Sequence, residues 1–191
     1  MIATGETVNG KGRLDRMVRP RVRLATIRDL DLLVRHRRSM FAAIDEYTSL
    51  ELDAADRVYR RWARTRIRSG RLAGFIVEVA QRPVASGCVW LMEVQPRPTQ
   101  KGTIVAYLLS MFTEPDQRGM GHATRIVDAA MEWARDRGIS RMTLHASSFG
   151  ESMYRRLGFE RTSEMIRPLM PEPHRRTTRQ GPGKRAPPDG T

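Results

Sequence analysis

Thr113-Glu-Pro-Asp-Gln-Arg-Gly-Met-Gly-His-Ala-Thr124 joins an almost wholly apolar run, Ile104–Thr113, to an amphipathic segment with Val127, Ala130, Met131 and Ala134 at i, i+3, i+4 and i+7. The run predicts a strand covered on both faces, and the segment a helix over 119–137 that Gly138 stops. Gly119 and Gly121 remove side chains where the backbone turns into that helix, with Arg118 beside them. The first-turn N–H groups and the positive dipole end of a helix make an anion site, and glycines let a phosphate approach the backbone. The physical reading is a pyrophosphate site between strand and helix; a tight turn that binds nothing would carry the same residues. A Walker loop is excluded because no Gly-Lys-Ser/Thr follows, and the Gly-x-Gly-x-x-Gly dinucleotide spacing is not completed.

Upstream, 22–25 reads as a short strand. Asp29 can cap a helix with Leu30, Leu33, Val34 and Phe41 along one side. Thr48 and Glu51 have capping-box spacing before a second helix, whose stripe is Ala55, Val58, Tyr59 and Trp62 and whose stop is Gly70. Segments 74–80 and 84–93 are strand-like. Downstream come a strand at 141–146, a short helix at 150–157 and a last extended segment at 159–169. The order β-α-α-β-β-β-α-β-α-β predicts an α+β fold: a mixed central sheet flanked by helices, three-layer and α/β/α-like.

The chain has 191 residues, 40% of them hydrophobic, which suffices for one packed domain. Its longest apolar run, Ile104 to Leu109, is far short of the roughly 20 residues of a membrane span. Glu6 and Lys11 are not followed by an apolar stretch, so no secretory leader is expected. One cysteine, Cys88, excludes a disulfide framework and a cysteine-rich zinc site; no metal is expected, and a cytoplasmic location is. The formal net charge is +13, and more than half of that excess sits on the two ends. Lys11, Arg13, Arg16, Arg19, Arg21 and Arg23 crowd the first, while Arg175, Arg176, Arg179, Lys184 and Arg185 stand among five prolines in the last. The expected organisation is a basic arm over 1–20, a folded domain over 21–170 and a Pro/Arg-rich tail over 171–191.

A second motif follows the first by about 30 residues: Ser152-Met-Tyr154-Arg-Arg-Leu-Gly158-Phe159. Arg118-x-x-Gly121-x-Ala123 after a Pro115 turn resembles the acetyl-CoA loop of the GNAT acetyltransferase superfamily. Tyr154-x-x-x-Gly158-Phe159 resembles an element of the same family, and the element order agrees. The resemblance covers about 21–170, is strongest over 104–160, and leaves both arms without a counterpart.

The resemblance implies acetyl-CoA as co-substrate. Met111, Phe112 and Thr113 would face the pantetheine arm, and Arg118, Gly119, Met120, Gly121, His122, Ala123 and Thr124 would hold the pyrophosphate. A backbone N–H near Phe112 would polarise the thioester carbonyl. Tyr154 would protonate the departing thiolate, unless it is an aromatic covering a helix–sheet seam. The glutamate that several family members place early in the fourth strand has no counterpart in Ile104-Val-Ala-Tyr107. Glu93, Glu46, His36 and a water chain remain as routes for removing the amine's proton. His145 reads as a hydrogen-bonded core residue, His122 as a partly exposed first-turn residue, and Cys88 as a small buried apolar one.

Residues 39–56 contain no Lys or Arg but hold Asp45, Glu46, Glu51, Asp53 and Asp56. In the family arrangement this link overhangs the acceptor pocket, where an acidic rim would attract a cationic amine. Helix-start chemistry accounts for Glu51, Asp53 and Asp56, which leaves Asp45 and Glu46 for the rim. The sequence therefore points to an acetyl-CoA-dependent N-acetyltransferase acting by direct attack of an amine borne by a small molecule or peptide, with no membrane partner. The alternative is a non-enzymatic, nucleic-acid-associated protein that keeps a CoA-binding fold and uses its basic arms. Those arms carry no aromatic residue to stack on a base, and a solvated or homodimer-contacting tail is the other account of them.

Overall fold

The computed structural model describes residues 19–44, 47–96, 98, 102–167 and 169. The chain divides into two units, one ending at Gly158 and one starting at Phe159. The first holds every described helix and strand.

Strand β1 (Arg21–Leu24) leads through a 3-10 turn (Ile27–Asp29) into helix α1 (Leu30–Ile44). The cap here is Thr26 rather than Asp29. Thr26 accepts from the N–H of Arg28, and the Asp29 carboxylate reaches back to the N–H of Thr26 at 2.7 Å. Asp29 is thus the acidic partner of a capping box, not its first residue. Arg23 grips it at 2.8 Å and Glu78 at 2.7 Å, and that hydrogen bond holds Asp29 at about 2. Helix α2 (Ser49–Arg68) starts at Thr48, whose hydroxyl accepts the Glu51 N–H while Glu51 takes the Thr48 N–H at 2.8 Å.

Strands β2 (Leu72–Val79), β3 (Arg82–Glu93) and β4 (Ile104–Thr113) follow as an antiparallel meander. A second 3-10 turn (Pro115–Gln117) leads to helix α3 (His122–Arg135), then β5 (Met142–Leu144) and α4 (Glu151–Arg156). The sheet order is β1-β2-β3-β4-β5, with only the β4–β5 pair parallel.

The two faces of the sheet follow from strand alternation. Ile76 and Cys88 pack with Leu30, Leu33, Val34, Tyr59 and Ala63 of α1 and α2. Phe75 and Gly87, directly opposite one another, face α3: Phe75 meets the Trp133 ring edge-on at 6.1 Å, and a Cβ on Gly87 would lie 2.9 Å from Ile126. Helices therefore cover both faces. Leu33 is 2% exposed, and its truncation to Ala should cost about 2–5 kcal/mol.

The predicted last strand does not form: 159–167 has neither helix nor strand, and Met165 and Ile166 are exposed. Glu160, Arg161, Thr162, Ser163 and Glu164 offer no apolar face to bury, and Pro168 lacks a donor. Strand β5 is also shorter than predicted, being paired only over Ala106–Leu108 of β4. No helix of the described residues is long and apolar enough to cross a membrane.

Candidate active site

The site is built on β4. From Ile104 to Leu109 its register with β3 is regular; then Ser86 pairs with Phe112 and Cys88 with Leu109, so Ser110 and Met111 together oppose Gly87. Ser110 has φ of 54°, the left-handed conformation of a bulge residue. Gly87 makes the bulge fit, because a Cβ there would lie 2.3 Å from Met111 Sδ.

The bulge changes which backbone groups face β5. The Ala106 N–H donates to Arg141 C=O at 3.0 Å, so 106 and 108 point to the β5 side. Beyond the bulge, the Glu114 N–H donates to Val84 C=O in β3 at 2.9 Å, so 112 and 114 point to β3. Alternation then turns 111 and 113 outward. Strand β5 ends at Leu144, opposite Leu108, so β4 runs on past its parallel neighbour. The N–H of Phe112 is thus directed away from this gap, and Met111 and Thr113 supply the backbone groups that line it. The Phe112 side chain packs against His36, ring centroids 4.9 Å apart.

Past Thr113 the backbone turns through Pro115–Gln117 to Gly119 and Gly121, with φ of 77° and 76°. These left-handed angles end any right-handed helix, which is why α3 starts at His122 and not at 119. No atom lies within 4 Å of where a Cβ would stand at either glycine, so the loop is open on its outer side. Gly121, at the start of α3, leaves the helix without a side-chain cap, and the first turn has no acidic residue. The Arg125 N–H is the first to bond back, to Gly121 C=O at 3.1 Å, leaving the N–H groups of His122, Ala123 and Thr124 ahead of it. Arg118 is exposed beside the loop, its Nε donating to Thr113 C=O. His122 is buried, not partly exposed: its Nε2 lies 3.2 Å from Gln117 Oε1, and its Nδ1 is buried without a partner. This pair ties the turn to the helix start.

His36 lies on the opposite face, 3% exposed, with Nδ1 2.9 Å from Ser86 Oγ and Nε2 3.5 Å from Glu114 Oε1. Burial pushes it down to about 4, assisted by Arg35, so the ring is neutral at pH 7. A neutral ring fits both contacts, the Ser86 hydroxyl donating to Nδ1 and Nε2–H to Glu114. With both nitrogens engaged, His36 is a structural link between α1 and the end of β4.

Nearer the middle of the sheet, Tyr59 of α2 sets its hydroxyl 3.9 Å from Cys88 Sγ. Burial pushes the Cys88 thiol up to about 12, so no thiolate nucleophile is available there. Tyr107, in β4, is hydrogen-bonded to Nδ1 of His145, the residue after β5 ends. His145 is exposed at the parting of the strands rather than buried in the core. Glu93 is exposed and pairs with Ile104, four residues and so about 14 Å along β4 from Leu108. The structure does not bring Glu93 to the gap.

Tyr154, in α4, is 8% exposed, and burial raises its hydroxyl above the ordinary tyrosine value. Gly150 gives its ring room, since a Cβ there would lie 3.1 Å from Tyr154 Cε2. Asp45 and Glu46 lie outside the described residues. The other three acids of the stretch are engaged: Glu51 in its capping box, Asp53 and Asp56 on Arg38 at 2.7 and 2.8 Å.

A strand edge that runs into a helix start with free N–H groups can accept an extended ligand ending in an anion. Residues 36–159 match the acetyltransferase (GNAT) family model.

The chain belongs to the GNAT acetyltransferase family.

Among its relatives is an uncharacterised N-acetyltransferase of Methanocaldococcus jannaschii, 30% identical over 145 residues, which are 73% of this chain and 60% of that protein. The chain thus spans about 60% of that relative's length. A GCN5-related N-acetyltransferase from Ralstonia eutropha superposes with a TM-score of 0.74 at 29% identity, over 79% of this chain and 99% of that one. A predicted acetyltransferase from Clostridium acetobutylicum, solved with acetyl-CoA, superposes with a TM-score of 0.70 at 26% identity, over 78% and 95%. In this GNAT chain the bulge was the feature the sequence did not announce; its one mark is Gly87 on the neighbouring strand. The Tyr107–His145 pair, 38 residues apart, was missed as well, because it depends on β5 lying parallel beside β4.

Proposed function

We propose that this chain is an N-acetyltransferase that passes the acetyl group of acetyl-CoA directly to an amine. The observation that carries the reading is the edge of β4, which loses its parallel neighbour after Leu108, bulges at Ser110–Met111, and runs into an uncapped helix start. The residues suit CoA: two open left-handed glycines, three leading N–H groups, and the orphaned His122 Nδ1 at the start of α3. The acetyl-CoA in the Clostridium neighbour supports the same choice. Acetyl-CoA would supply an activated acetyl thioester.

The chain's own residues then do five things. Arg118, Gly119, Met120, Gly121, His122, Ala123 and Thr124 hold the pyrophosphate through N–H groups and the helix dipole. The outward backbone groups of Met111 and Thr113 bind the pantetheine amides, and the bulge N–H groups polarise the carbonyl in place of Phe112. Tyr154, kept protonated by burial, donates to the departing sulfur. His145 takes the amine's proton in place of Glu93. In the tautomer whose Nδ1–H donates to the Tyr107 oxygen, Nε2 carries the lone pair.

Direct attack leaves no acetyl group on the protein. Intact mass after incubation with acetyl-CoA alone should be unchanged, and the amine should gain the acetyl group when added. An acetylated protein that passes its group to the amine after desalting would replace this reading with a two-step one.

A further inference from the structure

A cavity of about 430 Å³ lies where the C-terminal turn of α2 meets the end of β3, lined by Thr65, Arg66, Ser69, Arg71 and Trp90 to Glu93. That volume is in the range of small-molecule sites, roughly 300–1,000 Å³. The cavity belongs to neither the glycine turn nor the gap beside β5, so it stands apart from the elements assigned above to CoA.

Its position relates it to the chemistry. Trp90 pairs with Tyr107 in the β3–β4 register, and residues opposite one another share a face of the sheet. Trp90 meets Trp62 of α2 edge-on at 5.3 Å, which puts both Trp90 and Tyr107 on the α2 face. Tyr107 carries His145. Trp90 thus lies one strand spacing, about 4.8 Å between backbones, from Tyr107, and a molecule resting on Trp90 reaches His145, on the far side of β4, by extending over Tyr107.

The lining then states what that molecule carries. Arg66 has its guanidinium 4.4 Å from the Trp62 ring centroid and 5.6 Å from that of Trp90. Its recorded hydrogen bond, to Trp62 C=O at 3.4 Å, uses one Nη1 donor and leaves most of the planar fork. Arg71 is exposed and has no carboxylate partner among the described residues. Thr65 and Ser69 add hydroxyls, and Glu93 is the single acid of the lining. Two guanidiniums against one carboxylate, beside Trp90 and Met92, suit an oxyanion on a compact apolar body. The acids at 51–56 are engaged in capping Thr48 and in holding Arg38.

We infer that this cavity is the acceptor's pocket and that the acceptor is an amine bearing a carboxylate or phosphate, held by Arg66 and Arg71 while the amine reaches His145. The inference rests on the acetyl-transfer reading, and it names the substrate class for the same reaction.

The test uses the full chain with acetyl-CoA. The probes are ω-amino carboxylates of two to six carbons, O-phosphoethanolamine, and alkylamines of matching length. Anionic members should show kcat/KM about tenfold or more above their uncharged counterparts, and the better of the two anionic arms tells carboxylate from phosphate. Arg71→Met should lower that ratio about tenfold, the worth of one charge-assisted contact. Arg71→Glu should invert it in favour of diamines, which loss of packing alone would not do. Arg57→Met, on an exposed part of α2, should leave the ratio within twofold. Binding of the same amines in the presence of CoA, read from tryptophan fluorescence, separates the two layers of the account. Arg71-dependent binding of anionic amines without any transfer would keep the pocket and remove the acetyl-transfer reading. Equal treatment of anionic and plain amines by the wild-type chain, in turnover or in binding, would overturn the inference.

Discussion

The hydroxyl of Tyr107 and the Nδ1 of His145 are hydrogen-bonded at the point where β4 loses its parallel neighbour. One lies inside β4 and the other follows the last residue of β5, so the pair reports on the parting of the strands as well as on chemistry. His145→Gln keeps a polar side chain and removes the basic nitrogen. It should lower kcat about a hundredfold, in the range of general-base contributions, with CoA affinity within twofold. Steady-state kinetics with a saturating amine, beside calorimetry of CoA binding, check this; unchanged kcat would reduce His145 to a partner of Tyr107.

Tyr154→Phe removes a single oxygen from a buried ring. Because burial favours the protonated hydroxyl, the loss should fall on the departure of the thiolate, lowering kcat about a hundredfold while leaving CoA binding nearly as it was. A matched loss of CoA affinity with no change in kcat would make the ring a packing element.

Gly87→Ala would place a methyl group 2.3 Å from Met111 Sδ and 2.9 Å from Ile126 Cγ2. Overpacking of this kind costs about 1–3 kcal/mol, and here the strain falls on the bulge. Urea unfolding should show that loss, and Met111→Ala in the same chain should recover part of it. If Gly87→Ala were neutral, the bulge would be held by something other than the space opposite Gly87.

His36 links stability to pH. Its ordinary pKa is near 6.5, and burial, with Arg35 nearby, lowers it to about 4 in the fold despite Glu114 at 3.5 Å. The unfolded chain takes up the proton first. The contribution is therefore complete above pH 6.5 and is lost as pH falls toward 4, about 3 kcal/mol in all. Unfolding free energy should drop over that window, and His36→Asn should flatten the drop. An equal slope in the variant would assign it to other groups.

Much of the frame was legible in the sequence because it is local. The apolar run Ile104–Thr113 matches β4 in character and length, Thr48 and Glu51 cap α2, and the two glycines mark the turn. Small errors arose where a local signal has two uses: Asp29 serves as the third member of a box whose first member is Thr26. Larger ones arose where pairing decides. Segment 159–169 carries an extended pattern, but its residues 159–167 form no strand, and Ser110 looks like any polar residue in a strand until Gly87 lies across from it. The acids at 51–56 looked like a surplus charge until Arg38, from another helix, came between two of them.

The central claim is that this chain moves acetyl from CoA to an amine. Its most direct measurement is the release of free CoA thiol from acetyl-CoA by the intact chain, with and without amines, alongside the mass of the amine. The account predicts thiol release that requires the amine, equals the acetylated amine formed, and disappears with CoA binding in Gly121→Glu, whose carboxylate would stand at the uncapped start of α3. Thiol release that ignores the amine, or none with any amine from a chain that binds CoA, would contradict it.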